Sequence, residues 1–417
     1  MKVDRPSPQT DRGRTVPGRA IGIGVAVALP LVLVLWLGVW WLRSSAPLNV
    51  DQARAEATEL LRQGKVAEAR PLIDRLLARP NPGDEDRLLH GLALKDAHRP
   101  DEALAVLDQI PDRSSQGAIA RLAQGQIERQ RNRVARAERY LLRALERNPK
   151  LIEARNELIY IHGMRLQRRP LSEQFRRLAE LRTLEFGEVF LWCLTRRVDW
   201  DPAALHDELR RYVEADPEDR VSRLALADNE RQLTRFDDAL ATLEPLPNDD
   251  PEARALRARI ALDRGDAATA EALLRDGPRD HPALARLRGR LALARRDWNE
   301  AVEHYRLAVA KEPDDRDALF GLGHGLAQLG HTEEAQPHLQ AAQALDHLAT
   351  LVERAASVRN RDDPDLIRAL GAACEAVGRR PEARCWYTLL IARDPLDADA
   401  QRALFRLQDD NPSVPTD

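Results

Sequence analysis

Aromatic side chains make up only 4% of these 417 residues, and the chain holds just three cysteines and five lysines. Three cysteines, Cys193, Cys374 and Cys385, are too few and too scattered for a disulfide framework. No paired C-x-x-C is present, nor a Gly-rich phosphate loop, a G-x-S-x-G elbow or an H-E-x-x-H helix. The commonest nucleotide, hydrolase and zinc-protease signatures are therefore missing. The chain reads as a non-enzyme without cofactor or metal. A net charge of −3 gives no bulk field toward nucleic acid or an anionic surface.

What is present favours helix. Alanine, leucine, arginine and glutamate dominate a 43% hydrophobic composition. At this length two domains or an elongated array is the default. Residues 1–19 carry five basic side chains and three prolines and read as a disordered tail. Residues 20–42 are an uncharged apolar stretch of 23 residues, about 34 Å as a helix and long enough to span a bilayer. Trp36, Trp40 and Trp41 cluster at its far end, as interfacial indoles do. With the basic residues before the span, the N-terminus is expected in the cytoplasm and the rest outside it, periplasmic in a bacterium. A cleaved signal peptide is the competing reading. Its apolar region would be shorter and end in small residues, whereas this one ends in bulky ones.

After a linker at 43–49, one pattern repeats. In Leu284–Pro313, two apolar stripes at helical spacing flank a polar turn at Arg296-Asp297. Gly289 precedes Ala301 by twelve residues, Tyr305 and Ala308 follow, and Pro313 closes the unit. The same register aligns Ala69, Ala103, Ala137, Leu171, Leu205, Ala239, Ala270, Ala301, Ala335 and Ala383, with steps of 34, 34, 34, 34, 34, 31, 31, 34 and 48. Twelve residues earlier stand Ala57, Gly91, Gly125, Ile159, Cys193, Ala227, Ala258, Gly289, Gly323 and Gly371. Small residues there let two helices cross closely. Prolines at 149, 217, 251, 282, 313 and 395 read as closing the units.

This pattern resembles the tetratricopeptide-repeat signature, a helical hairpin with a period near 34 residues. The resemblance covers residues 50–405 and implies an all-α solenoid, a right-handed superhelix of about ten hairpins at 50–408. Departures are visible. Ile159 and Cys193 are bulky where small residues belong, so those hairpins should splay or repack. The 31-residue steps imply short second helices near Leu246 and Asp276-Gly277. The 48-residue step leaves an insertion near 346–363, read as an additional helix at Leu348–Val358 plus a charged turn. Leu396–Leu407 reads as a capping helix and residues 409–417 as a fraying tail.

Family members bind peptides or partner helices on a concave face lined by first-helix side chains. Carried over position by position, that face holds Tyr160, Met164, Phe190, Leu191 and Leu194 as an apolar patch. It continues with Arg259, Arg286, Arg290, His324 and Arg368 as a mostly basic stripe, interrupted by Asp228, Asp263 and Asp317. The family's carboxylate-clamp set of Lys, Asn, Asn, Lys and Arg is absent. Phe190 and Leu194 packing against a neighbouring repeat is the structural alternative. Cys374 and Cys385, on the two helices of one hairpin, are either a disulfide or two packed thiols. The functional expectation is a membrane-tethered adaptor or assembly scaffold binding proteins, with no nucleic acid and no small-molecule substrate. The alternative is an extracytoplasmic folding or secretion accessory that holds unfolded clients.

Overall fold

The computed structural model describes residues 49–194 and 202–409, which form twenty-one α-helices, one short 3-10 turn and no strand. The basic tail 1–19, the apolar span 20–42 and the final residues lie outside the described residues. No helix among the described residues is long and apolar enough to cross a membrane.

Two compact units are separated after Pro82. In the first, α1 (Val50–Arg62) and α2 (Val66–Leu77) form one hairpin around buried Ala57, Ala69 and Ile73. The second unit opens with α3 (Asp84–Asp96), α4 (Pro100–Asp108), α5 (Gly117–Gln130), α6 (Val134–Arg147), α7 (Ile152–Met164) and α8 (Arg168–Leu181). It continues with α9 (Phe186–Cys193), α10 (Pro202–Ala215), α11 (Arg220–Gln232), α12 (Phe236–Leu243), α13 (Pro251–Asp263), α14 (Ala267–Arg275) and α15 (Pro282–Ala294). It ends with α16 (Trp298–Lys311), α17 (Arg316–Gln328), α18 (Thr332–Ala355), α19 (Pro364–Ala376), α20 (Arg380–Arg393) and α21 (Ala398–Asp409).

Each hairpin turns by the same device. The residue five before nine of the second-helix anchors has positive φ: His98, Asn132, Leu166, Thr234 and Arg296, and glycine at 64, 265, 330 and 378. The next amide then donates back to a carbonyl of the first helix, as Arg99 N does to Leu94 O at 2.9 Å and Asp297 N to Ala292 O at 2.9 Å. This is the Schellman closure, which satisfies carbonyls that the helix end would strand. Aspartates at 219, 250, 266, 297, 315 and 363 cap helix starts, each side chain accepting from first-turn amides.

The crossing within each hairpin depends on missing side chains. A Cβ on Gly289 would lie 2.8 Å from the Tyr305 ring, one on Gly323 2.7 Å from Leu339, and one on Gly371 2.8 Å from Tyr387. The same ring of Tyr305 also presses on Gly321 in the next hairpin, so one tyrosine joins two repeats.

Three expectations need correction. The hairpin expected from Cys193 and Leu205 is not formed. Instead α9 packs on α20, and α10 packs on α7 and α11. The extra helix expected at Leu348–Val358 is not separate: α18 runs on for 24 residues, because Leu345, Leu348, Leu351, Val352 and Ala355 continue one buried stripe with no breaker between Pro337 and Ser357. Pro251 and Pro282 do not close repeats; each opens a first helix, at α13 and α15, where the missing amide hydrogen costs nothing. The short second helices are present, with eight residues in α12 and nine in α14. Their early ends leave carbonyls that the half-buried Arg257 and the buried Arg288 fill. Arg257 donates to Leu243 O at 2.7 Å and Leu246 O at 3.1 Å, while Arg288 donates to Gly277 O at 2.6 Å and Pro278 O at 2.9 Å. Burial pushes both guanidinium pKa values down.

Two glycines in helices should respond oppositely to alanine. A Cβ on Gly163 meets nothing within 4 Å, so Gly163→Ala should stabilise by about 1 kcal/mol through helix propensity. Gly321→Ala forces the Tyr305 ring aside and should destabilise by about 1–3 kcal/mol. Urea unfolding followed by circular dichroism measures both; equal signs would contradict the packing.

Thr234 is a β-branched residue at φ 59. Left-handed backbone costs such a residue roughly 1–2 kcal/mol, and glycine returns part of that gain as unfolded-state entropy. Thr234→Gly should therefore raise the unfolding free energy by up to about 1 kcal/mol, and Asn132→Gly by less. A lower midpoint for Thr234→Gly would refute the turn geometry.

Candidate protein-docking face

First helices of successive hairpins touch one another through α11, α13, α15 and α17, whereas the second helices meet each other less. First-helix side chains therefore share one continuous face. Arg259 lies on this face on α13, Arg286 and Arg290 on α15 and His324 on α17, while Arg368 lies further along the chain on α19.

Most of these cations are already spent on neighbouring repeats. Arg286 forms an ion pair with Asp315, the cap of α17. Burial works against the charge of Arg286, but Asp315 overrides it and the net pKa is raised. Arg290 lies 3.9 Å from Asp263. Arg368 donates to Asp365 at 2.7 Å and to Asp397 at 2.8 Å. Arg259 differs, with no ion pair or hydrogen bond among the described residues. Burial, then the nearby Arg231 guanidinium, pushes its pKa down, with Asp228 opposing. Arg168 at the start of α8 is similarly unpaired among the described residues. Burial lowers its pKa too, and Asp228, Arg286, Asp315 and Arg259 all act on its charge. Its neighbour Arg169 donates to Lys311 O at 3.0 Å, which holds the start of α8 against the α16–α17 loop.

The apolar patch is divided. Tyr160 is 42% exposed, with the Arg129 guanidinium 5.4 Å from its ring centroid and its hydroxyl donating to Glu208 at 3.3 Å. Met164 packs with α5, α6, α7, α10 and α11. Phe190 and Leu194 belong to a different core, built from α8, α9 and α18 to α21. Phe190 stacks on Phe186 with centroids 6.3 Å apart.

Sequence reasoning missed the aromatic part of the basic stripe. Phe320 on α17 is 45% exposed. Its ring stacks on His324, with centroids 6.1 Å apart and planes 8° from parallel, and carries the Arg316 guanidinium 5.0 Å from its centroid. Trp298 also meets His324 edge-on, with centroids 6.0 Å apart. The legible signal was Phe320 four residues before His324, one turn along the same helix face. Open clefts include one of about 440 Å³ beside Asp112 and Arg121 and one of about 480 Å³ beside Val302 and Leu326. Among the described residues no group of three or more His, Cys, Asp or Glu side chains is placed to hold a metal ion.

With the geometry in hand, comparison with known proteins adds the class. The family model described as "Tetratricopeptide repeat" matches residues 88–152 and 286–346. Those two segments are thus of the tetratricopeptide-repeat type, within an array that is all-α among the described residues. No curated protein matches the chain. Among solved structures it is similar to the APC/C hetero-tetramer Cut9-Hcn1, at 12% identity and TM-score 0.36, covering 86% of this chain and 90% of that one. It is also similar to Naa15/Naa10 bound to HypK-THB, at 15% identity and TM-score 0.33, covering 87% and 61%. A tetratricopeptide repeat protein from Parabacteroides merdae ATCC 43184 matches at 15% identity and TM-score 0.32, covering 58% and 98%. Likeness at this level identifies neither a partner nor an activity.

The two kinds of arginine on this face should separate in stability measurements. Arg259→Met removes a charge without a partner and should leave the unfolding free energy within about 0.5 kcal/mol of wild type, or raise it. Arg286→Met strands the half-buried Asp315 carboxylate and should cost about 1–3 kcal/mol. Equal losses in denaturant titrations would show that Arg259 is structural.

Proposed function

We propose that this chain is a membrane-tethered scaffold that binds a partner protein through the face made by α13, α15 and α17. Residues 20–42 provide the tether, with the N-terminus in the cytoplasm and the repeats outside it. The observation that carries the docking surface is Phe320. It is an exposed aromatic held by His324 and Arg316, on the face where Arg259 is a cation without a partner among the described residues. Interfaces are anchored by such residues, since aromatics and arginines supply most truncation energy. The partner segment this face suits carries an apolar anchor followed by acidic side chains. The apolar patch on which client holding would rest is split between two cores, so nothing in the geometry favours that second role.

A photo-crosslinker at position 320 should capture one stoichiometric partner from a detergent extract of the native membrane, and one at exposed position 396 should not. With that partner purified, Phe320→Ala should speed dissociation by about 30-fold, the equivalent of about 2 kcal/mol. Arg259→Glu should chiefly slow association and flatten its salt dependence. If neither variant alters either rate, another surface binds. A reporter active only in the cytoplasm, fused after Asp417, should be silent; a signal would reverse the topology.

A further inference from the structure

All three cysteines of the chain fall in one core, although 192 residues of sequence separate the first from the last. Cys193 ends α9 and Cys374 lies in α19; they are 5% and 0% exposed. Their sulfurs are 3.9 Å apart, in van der Waals contact across 181 residues of chain. The Trp386 indole N–H donates to Cys193 Sγ at 3.3 Å, fixing one sulfur from the side of α20. Phe186 meets Trp386 edge-on at 5.3 Å, so α9 is held against α20 as well as α19. Cys385, on α20, packs at the margin of the same core and has no sulfur contact of this kind.

We propose that Cys193 and Cys374 form a disulfide that staples α9 to the C-terminal hairpin and locks the middle of the array onto its end. A disulfide needs its sulfurs at about 2.05 Å, so the helices or their rotamers must close by roughly 2 Å. The oxidant is a small-molecule or protein disulfide. One cysteine thiolate attacks it, forming a mixed disulfide and releasing one thiol; the second cysteine thiolate then displaces the other. Two protein thiols become one S–S bond, and the oxidant, taking up two electrons and two protons, leaves as two thiols. Both sulfurs are buried in the docked state, so exchange takes place while α9 is undocked, and the bond then records docking. The pairing differs from the Cys374–Cys385 bridge that adjacency within one hairpin suggests. It does not rest on the docking face; in the cell it rests on the proposed topology, which puts the repeats in an oxidising compartment, whereas the refolding test below does not depend on that topology.

The test uses the full-length chain in detergent, unfolded in urea and refolded at low concentration with either oxidised glutathione or dithiothreitol. After free thiols are alkylated, proteolysis without reduction should yield one peptide joining Cys193 to Cys374, with Cys385 alkylated. The oxidised protein should melt about 3 °C or more above the reduced protein, in wild type and in Cys385→Ala. That difference should vanish in Cys193→Ala and Cys374→Ala. The peptide map needs no variant, so the proposal stays testable if these two fold poorly. Recovery of alkylated Cys193 and Cys374 from the oxidised refold, or a bridge through Cys385, overturns it.

Discussion

Every regular hairpin here rests on one constraint. A side chain sixteen residues downstream must lie where a first-helix residue has almost no side chain of its own. The pairs are Ala57 with Ile73, Gly91 with Leu107, Gly125 with Leu141, Ala227 with Leu243 and Ala258 with Leu274, followed by Gly289 with Tyr305, Gly323 with Leu339 and Gly371 with Tyr387. The two tyrosines stand only opposite glycine, and alanine meets only aliphatics. Combined bulk is what the crossing limits, since a packed interior tolerates little excess volume. The exceptions follow from the same limit. Ile159 would face Phe175, and Cys193 would face Leu209. Phe175 instead stacks on Trp192, with centroids 6.0 Å apart, and α9 leaves the array.

That limit explains which parts of the structure were legible. A small residue, a large one and a fixed interval are local facts, so the register of eight hairpins could be read from spacing. The short α12 and α14 followed from two missing triplets. The turn residue was half visible: glycine marks it at 64, 265, 330 and 378, while Leu166 and Thr234 occupy the same backbone conformation with nothing in their chemistry to announce it. The continuity of α18 was not legible from repeat spacing, which leaves fourteen residues over without saying where they go, although no proline or glycine interrupts them. The docking of α9 was out of reach, because its partners lie nearly two hundred residues away and outside the repeat pattern.

The basic stripe was misread in charge. Arg220 pairs with Asp250, Arg231 with Asp263, Arg286 with Asp315, Arg316 with Asp346 and Arg368 with Asp397. Each pair spans about one repeat period, so these charges couple successive hairpins and do not form a free cationic field. An arginine with an aspartate some thirty residues on is therefore the pattern to subtract before a basic stripe is assigned to a partner. Applied to the stripe, that subtraction leaves Arg259 and Arg290, the latter 3.9 Å from Asp263 of the preceding first helix, and the structure adds Arg168 from outside it. Such residual charges carry weight because an unpaired guanidinium on a partly buried face is costly to keep.

The departure of α9 also changes how stability is distributed. In an open repeat array each hairpin touches only its neighbours, so stability is close to a sum of local terms and unfolding can begin anywhere. Here the core built from Leu171–Leu194 and Leu348–Leu407 joins the fourth hairpin of the chain directly to the last. The intervening hairpins, α11 to α17, are bounded at both ends by one shared core. Opening any of them must strain or release that core, which couples distant repeats. The insertion that lengthens α18 contributes Leu348, Leu351, Val352 and Ala355 to this junction. The one irregular step in the repeat spacing thus supplies part of the surface on which the one displaced helix docks. An excess of residues at one place and an excess of bulk at another are two halves of the same closure.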